Sequence, residues 1–286
     1  MANAITSVLI VLKTNHELAE GLGAEIETWL CSRGINVCMD RELAGRAQAA
    51  DVDYDCEFDL ILVLGGDGTY INVARALLHT GVPLLGVNLG KVGFLADIPV
   101  DRWRERLEAI LEQGVSTERR LVMSFEVRRE GQTVRRGLAV NDLVVSRGQM
   151  ARLVQLAVSC EGAHVSNLRA DGVIIATPIG STAYTVSAGG PITHPSLRAF
   201  TLTPICPFLN DLRPLVLPGD CEFTVRVTQA VGGVFLTEDG QSGMDLFCGD
   251  EIVIRPSGTD LIVASVGFEE YFHKLRSKGF IIEGGG

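Results

Sequence analysis

Residues 58–69 read DLILVLGGDGTY, and the fold of the first half of the chain can be read outward from them. Residues 60–64 are apolar without alternation, as expected of a parallel strand buried on both faces. The run meets Gly65, Gly66, Asp67, Gly68 and Thr69, and a helical pattern follows at Ile71, Ala74, Leu77 and Leu78. Upstream, residues 7–12 form a strand. Leu18, Leu22, Ile26 and Leu30 then mark one face of a helix, Gly34 ends it, and residues 35–39 form the next strand. Downstream, residues 82–88 are a further strand ending in a glycine-rich segment, and Pro99 suits the first position of a helix to Glu112. Strand and helix thus alternate over about 115 residues, the pattern of a parallel sheet covered by helices.

The glycines at that turn let a ligand approach the backbone, and the free N–H groups of a helix start favour phosphate. Asp67 does not belong in a pure phosphate cradle, because its charge repels phosphate. It suits a site that takes a proton from a hydroxyl beside a phosphate, or one that binds a metal there. No GxxxxGK[ST] loop is present, and no GxGxxG follows the first strand, so neither a Walker-type lysine nor an ordinary dehydrogenase fingerprint is available.

The composition fits two domains in 286 residues, with 47% hydrophobic content. A net charge of −10 argues against a nucleic-acid surface, and no segment is long and apolar enough to span a bilayer or to act as a signal peptide. Seven scattered cysteines without a CxxC pair are expected to be reduced and mostly buried, in a cytoplasmic protein. No His/Cys spacing suggests structural zinc, and no residue is assigned as a protein metal ligand.

Beyond Ser116 the pattern changes. Residues 121–127 and 133–140 read as strands around a Glu130-Gly131 turn, and seven more apolar runs up to residue 266 also read as strands. The expected domains are 1–118 together with 267–286 (α/β) and 119–266 (mostly β). Phe268, Tyr271, Phe272 and Leu275 make a final amphipathic helix, predicted to pack back on residues 1–115.

A second dense cluster spans residues 169–192. After the strand at 173–176 come Thr177, Gly180, Ser181, Thr182, Tyr184, Thr185 and Ser187, small hydroxyl side chains that suit ribose and phosphate. Asp171 offers a carboxylate just before that strand. Asn141-Asp142, just after the strand ending at Val140, offers an amide and a carboxylate for ribose hydroxyls.

Together these stretches resemble the NAD kinase family. The match lies in GGDGT (65–69), GVNLGKVGFLAD (86–97), NDLVVSRG (141–148), DGVIIATPIGSTAYTVSAGGPI (171–192), TPICP (203–207), RPLVLP (213–218) and DGQ (239–241). GGDGT is shared with phosphofructokinases and with diacylglycerol and sphingosine kinases, whereas the TPxGSTAY…SAGGPI block singles out NAD kinases. The resemblance implies that Asp67 is the base that deprotonates the adenosine-ribose 2′-hydroxyl of NAD. It places Gly65, Gly66, Gly68 and Thr69 in the phosphate loop, Gly68 against the dinucleotide and Phe94 near adenine. It gives ribose hydroxyls to Asn141 and Asp142, puts Arg152 and Arg169 near the substrate, and sets Asp171 at the nicotinamide end. Thr182, Ala183, Tyr184, Thr185, Val186 and Ser187 would line the adenine and ribose side, and Gln241 would close the pocket. It further implies an ATP donor, magnesium arriving with ATP, and a homodimer or homotetramer. The chain departs from the family at Phe208-Leu209-Asn210-Asp211, where a histidine and small hydroxyl residues are usual, and at Ile179, where a small hydroxyl residue is usual.

Two other readings compete. One is a GGDGT kinase for a sugar phosphate or lipid, against which the Asn141-Asp142 pair and the TPIGSTAY block argue. The other is a dinucleotide-binding regulator without turnover, which has no use for Asp67.

Overall fold

The computed structural model describes residues 5–45, 54, 57–90, 93–96, 98–148, 153–208, 212–230, 232–265 and 267–281. Arg152 and residues 209–211 therefore lie outside the described residues, as does the side chain of Phe268.

The continuous apolar runs become the centre of a parallel sheet. Its elements are β1 (Ser7–Leu12), α1 (Glu17–Cys31), β2 (Asn36–Asp40), β3 (Leu60–Gly65), α2 (Asp67–Ala76), β4 (Leu84–Asn88), β5 (Ile98–Pro99), α3 (Trp103–Gln113) and β6 (Thr117–Arg120). The strand order is β2-β1-β3-β4, with β1 to β4 parallel and β5 added beside β4. One face of this sheet packs on α1 and α3 through Ile26, Trp29, Leu30, Trp103 and Leu107. The other packs on α2 through Tyr70, Ile71, Val73 and Ala74.

Three local expectations shift. Leu18 is 49% exposed, and the buried stripe of α1 runs through Ala19, Leu22, Ile26, Trp29 and Leu30. A strict four-residue repeat drifts off a face of period 3.6, so the true stripe alternates steps of three and four. Pro99 is not the first residue of α3: it is extended, pairs with Asn88, and a short turn at Val100–Arg102 leads into the helix. None of the six described cysteines is buried, so the expectation of mostly buried thiols fails for them.

The second half is two antiparallel sheets, as its alternating segments require. It comprises β7 (Met123–Arg129), β8 (Gln132–Ala139), β9 (Asp142–Arg147), β10 (Val154–Cys160), β11 (Ala163–Ala170), β12 (Gly172–Ala176), α4 (Tyr184–Ser187), β13 (Ala199–Ile205), β14 (Leu215–Pro218), β15 (Phe223–Gln229), β16 (Val234–Glu238), β17 (Ser242–Leu246) and β18 (Glu251–Pro256). The sheet orders are β11-β10-β15-β18-β7-β8 and β14-β13-β12-β9-β16-β17, and they share one core that includes Phe125, Val145, Ile175, Phe200 and Phe223. Residues 177–195 fold over the outer face of the second of these sheets, where Ile174, Ala176 and Ile205 meet Ala188.

The chain then returns. β19 (Leu261–Ala264) inserts into the first sheet between β4, to which it is parallel, and β6, to which it is antiparallel, and α5 (Gly267–Ser277) follows. The span expected for the second domain, 119–266, is therefore too long at both ends. β6 and β19 are strands of the first sheet, and β19 is too short for its apolar run to announce which sheet it joins. Val122, Val140 and Ile179 share a core with α2, so the two halves abut without a linker. Among the described residues no helix is long and apolar enough to cross a membrane.

Candidate active site at the domain seam

The site forms where α2 meets the β9–β12 and β16–β17 ends of the second half. Gly66 precedes α2 with extended backbone, and Asp67 is the first helical residue, so a carboxylate sits at the positive end of the helix. A side chain at Gly66 would meet nothing within 4 Å, which leaves the turn open above the helix start. Asp67 is held by the loop that follows β4: Oδ2 accepts the Phe94 N–H (2.9 Å), and Oδ1 accepts those of Leu95 and Ala96 (both 3.0 Å). Gly93 is needed for this arrangement, since a Cβ there would overlap the Asp67 carboxylate. A carboxylate has about four lone-pair directions. Among the described residues three are occupied, which leaves one on Oδ2.

Across the seam lies an acidic crevice of about 330 Å³, lined by Asn141, Asp142, Ser146, Ala183, Tyr184 and Asp239 among others. Asp142 is 4% exposed. Burial, and then the neighbouring charge of Asp239, push its carboxyl up to about 7, against the opposing Tyr184 amide. Asn141 Oδ1 is buried with no hydrogen-bond partner among the described residues. Its backbone carbonyl accepts the Thr177 N–H at 2.9 Å, and a Cβ at Gly180 would overlap that same carbonyl, so the TPIGS segment lies directly on Asn141.

The sequence reading missed the residue that fixes this crevice. Asp239 has a fully buried carboxylate and a φ of 50° in the β16–β17 turn. It accepts the amides of Val140 (3.1 Å), Asn141 (2.7 Å) and Asp142 (3.1 Å). Burial pushes its carboxyl up too, but those three donors and Arg75, 3.4 Å away, favour its charged form. Both carboxyls are thus raised by burial, and the donors and the cation that oppose this gather on Asp239. In sequence Asp239 showed only as part of the quoted DGQ stretch and as an Asp-Gly dipeptide that marks a hairpin turn, neither of which gave it a role.

Gln241 joins the two halves. Its Nε2 donates to the Gly68 carbonyl at 2.8 Å, and its Oε1 accepts from Arg75 at 2.6 Å. The GGDGT helix and the acidic crevice are thereby fastened into one unit.

The remaining expected residues scatter. Phe94 and Thr182 line a separate cavity, described below. The Thr185 hydroxyl is buried without a partner, and Thr185 packs against Gly190. Val186 is half-buried and Ser187 exposed, and neither lines the crevice. Thr69 packs on Gly65. Asp171 pairs with Arg147, and Arg169 is exposed with its guanidinium 5.1 Å from the Phe208 ring. Asp142 pairs with Ala176 and Ser146 with Gly172, so Asp171 lies at the opposite end of β9 and β12 from Asp142, roughly 15 Å away at about 3.3 Å per residue. The structure does not gather Asp171 and Arg169 with the Asn141-Asp142 group.

Residues 8–115 match the ATP-NAD kinase N-terminal domain model, and residues 140–265 match the ATP-NAD kinase C-terminal domain model. The chain belongs to the NAD kinase family. The NAD kinase of Nitratidesulfovibrio vulgaris (strain Miyazaki F) is 46% identical over 281 residues, covering 98% of this chain and 99% of the relative. That of Oleidesulfovibrio alaskensis is 40% identical, covering 98% and 95%. Among solved structures, an NAD kinase from Archaeoglobus fulgidus in complex with ATP is similar with a TM-score of 0.74 at 28% identity, covering 96% of this chain and 98% of that one. Yeast NADH kinase complexed with NADH shares the fold with a TM-score of 0.83 at 24% identity, covering 96% and 88%. The NAD kinase fold thus accounts for the α/β half, the mostly β half and the returning helix.

Proposed function

We propose that this chain phosphorylates NAD, transferring the γ-phosphate of ATP to the 2′-hydroxyl of the adenosine ribose to give NADP and ADP. The observation that carries the reading is Asp67, a carboxylate at a helix start, held by three amides with one lone-pair direction open, beside a crevice of hydroxyl-binding groups. The ribose hydroxyl donates to that open direction on Oδ2, which takes the proton as the oxygen attacks the γ-phosphorus. The β–γ bridging bond breaks, and the electron pair leaves on ADP. General base catalysis of this kind contributes roughly 10²–10⁴-fold. The rest is positioning and charge neutralisation. Magnesium belongs to this scheme as part of the ATP substrate, with Gly65, Gly66, Gly68 and Thr69 facing its phosphates.

Asn141 Oδ1 and the Asp142 carboxylate supply acceptors for NAD ribose hydroxyls. Ala183 and Tyr184 form the opposite wall, and Phe94 and Thr182 stand at the adenine side. Asp171, one strand length away, serves the nicotinamide end, with Arg169 near the substrate. The protein works in the cytoplasm as a homodimer or homotetramer.

The test is Asp67→Asn in a coupled ADP-release assay. Asparagine keeps Oδ1 for two amides but replaces the basic Oδ2 with an NH₂ group. We expect kcat to fall roughly 100-fold or more while NAD still binds. Near-normal turnover would remove Asp67 from the chemistry. Fructose 6-phosphate and diacylglycerol as alternative acceptors should give no ADP.

A further inference from the structure

We propose that Phe280, just beyond α5, is a positioning residue for Asp67, bracing the loop segment whose amides hold that carboxylate. Phe280 belongs to none of the family-like motifs, and its role rests on the reading of Asp67 as the base. The cavity that Phe94 and Thr182 line holds about 580 Å³, and α5 supplies Tyr271 and Lys274 to its wall. α5 therefore runs along the adenine side of the proposed site, and its C-terminus is built to send the next side chain back. Gly279 has a φ of 76°, the left-handed conformation that closes a helix. Its amide donates to the Arg276 carbonyl at 2.9 Å, and the Phe280 amide reaches back to the Leu275 carbonyl at 2.9 Å. These are the two bonds of a Schellman cap, and Leu275 anchors it, being 4% exposed.

Turned in this way, the Phe280 ring meets that of Phe94, with centroids 5.6 Å apart and planes tilted by 38°. Both residues are half-buried. The contact falls where Asp67 needs it. The Phe94 amide donates to Oδ2, the oxygen assigned to the proton transfer, whereas the Leu95 and Ala96 amides go to Oδ1. The Ala96 end of the segment has anchors of its own, since its carbonyl accepts from Asn88 Nδ2 at 3.0 Å and from the Gly93 amide at 3.1 Å. The Phe94 end has the Phe280 ring. Loss of that ring leaves Oδ1 held and lets the donor on Oδ2 shift, and a small misplacement of the reacting group is costly in rate.

Two readouts on the full-length protein test this. Hydrogen–deuterium exchange of the peptide containing residues 93–96, measured without substrates, should be about tenfold or more faster in Phe280→Ala. In the coupled ADP-release assay the same variant should lose about tenfold or more in kcat, while the KM for ATP stays within about twofold. Phe280→Tyr keeps the ring and should restore both. Gly279→Ala adds a Cβ that meets nothing within 4 Å, so it acts through its positive φ alone and should shift both readouts in the same direction. A merely structural ring would lower Tm and leave kcat as it was, so unchanged kcat in folded Phe280→Ala would overturn the proposal. Exchange at residues 93–96 equal to wild type would overturn it as well. The exchange readout needs no turnover, so it fails separately from the kinase reading: near-normal turnover in Asp67→Asn would remove the base and leave the brace.

Discussion

At the scale of single residues, the site separates two carboxylates by their surroundings. Asp239 meets three amides and Arg75, which oppose the upward push of its burial, whereas Asp142 is pushed up to about 7. The consequence for ligand binding has a definite sign. In the proposed role, ribose hydroxyls donate to the ionised form of Asp142, and NAD binding then favours loss of its proton. NAD affinity should rise about tenfold between pH 6 and pH 8, following the ionised fraction of a group titrating near 7, with proton uptake by the buffer measurable by calorimetry. A dissociation constant that is flat over this range would separate Asp142 from the ribose. The consequence for stability runs the other way. The folded-state value lies above the unfolded one, so the folded chain binds the extra proton between about pH 4 and 7, and stability falls as pH rises through that window. Asp142→Asn, which mimics the protonated acid, should therefore gain thermal stability over wild type at pH 8 and lose that advantage by pH 4.5. Replacing Asp142 with alanine should raise the KM for NAD and leave that for ATP nearly unchanged. Asp67 and Asp142 could be read from the sequence because each stands in a motif. Asp239 also stands in a quoted motif, DGQ, but its contacts exist only once β16 brings it to amides nearly a hundred residues away.

At the scale of elements, the connection between α2 and the β16–β17 hairpin depends on Arg75. Its side chain is 11% exposed, faces Asp239 at 3.4 Å and donates to Gln241. Removing one partner of such a buried group leaves the others uncompensated. Arg75→Met should destabilise the chain by about 3 kcal/mol and also lower kcat, since Gln241 then loses one of its two anchors between Gly68 and the crevice. A stability loss in denaturant unfolding with kcat unchanged would make the connection purely structural. The elements differ in how openly the sequence shows them. β3 and α2 follow directly from an apolar run, a glycine turn and a helical repeat. β11 was missed because its exposed positions dominate its pattern, with only Leu168 and Ala170 buried. β13, residues 199–205, is not legible because Thr201, Thr203 and Pro204 interrupt its apolar run, although all seven of its residues are buried.

At the scale of the whole molecule, the first domain is closed by the end of the chain. β19 pairs on both sides within the first sheet. α5 follows with Lys274 and Leu275 buried, Tyr271 against His194 and Glu270 close to Arg102. The expected apolar stripe is only partly used, since Phe272 is 44% exposed. Two truncations separate the contributions. Ending the chain after Val266 keeps β19 and removes α5. Burying Leu275 alone is worth about 1.5–3 kcal/mol, so this variant should remain folded with a lower Tm, and the drop should be the same at every protein concentration. Ending it after Asp260 also removes β19, leaving β6 without its partner and both cores of the first sheet open, and the α/β half should fail to fold. If the Val266 truncation instead keeps the wild-type Tm at low concentration and only sediments as a smaller species, the helix is a contact between subunits. The return of the chain would then rest on β19 alone.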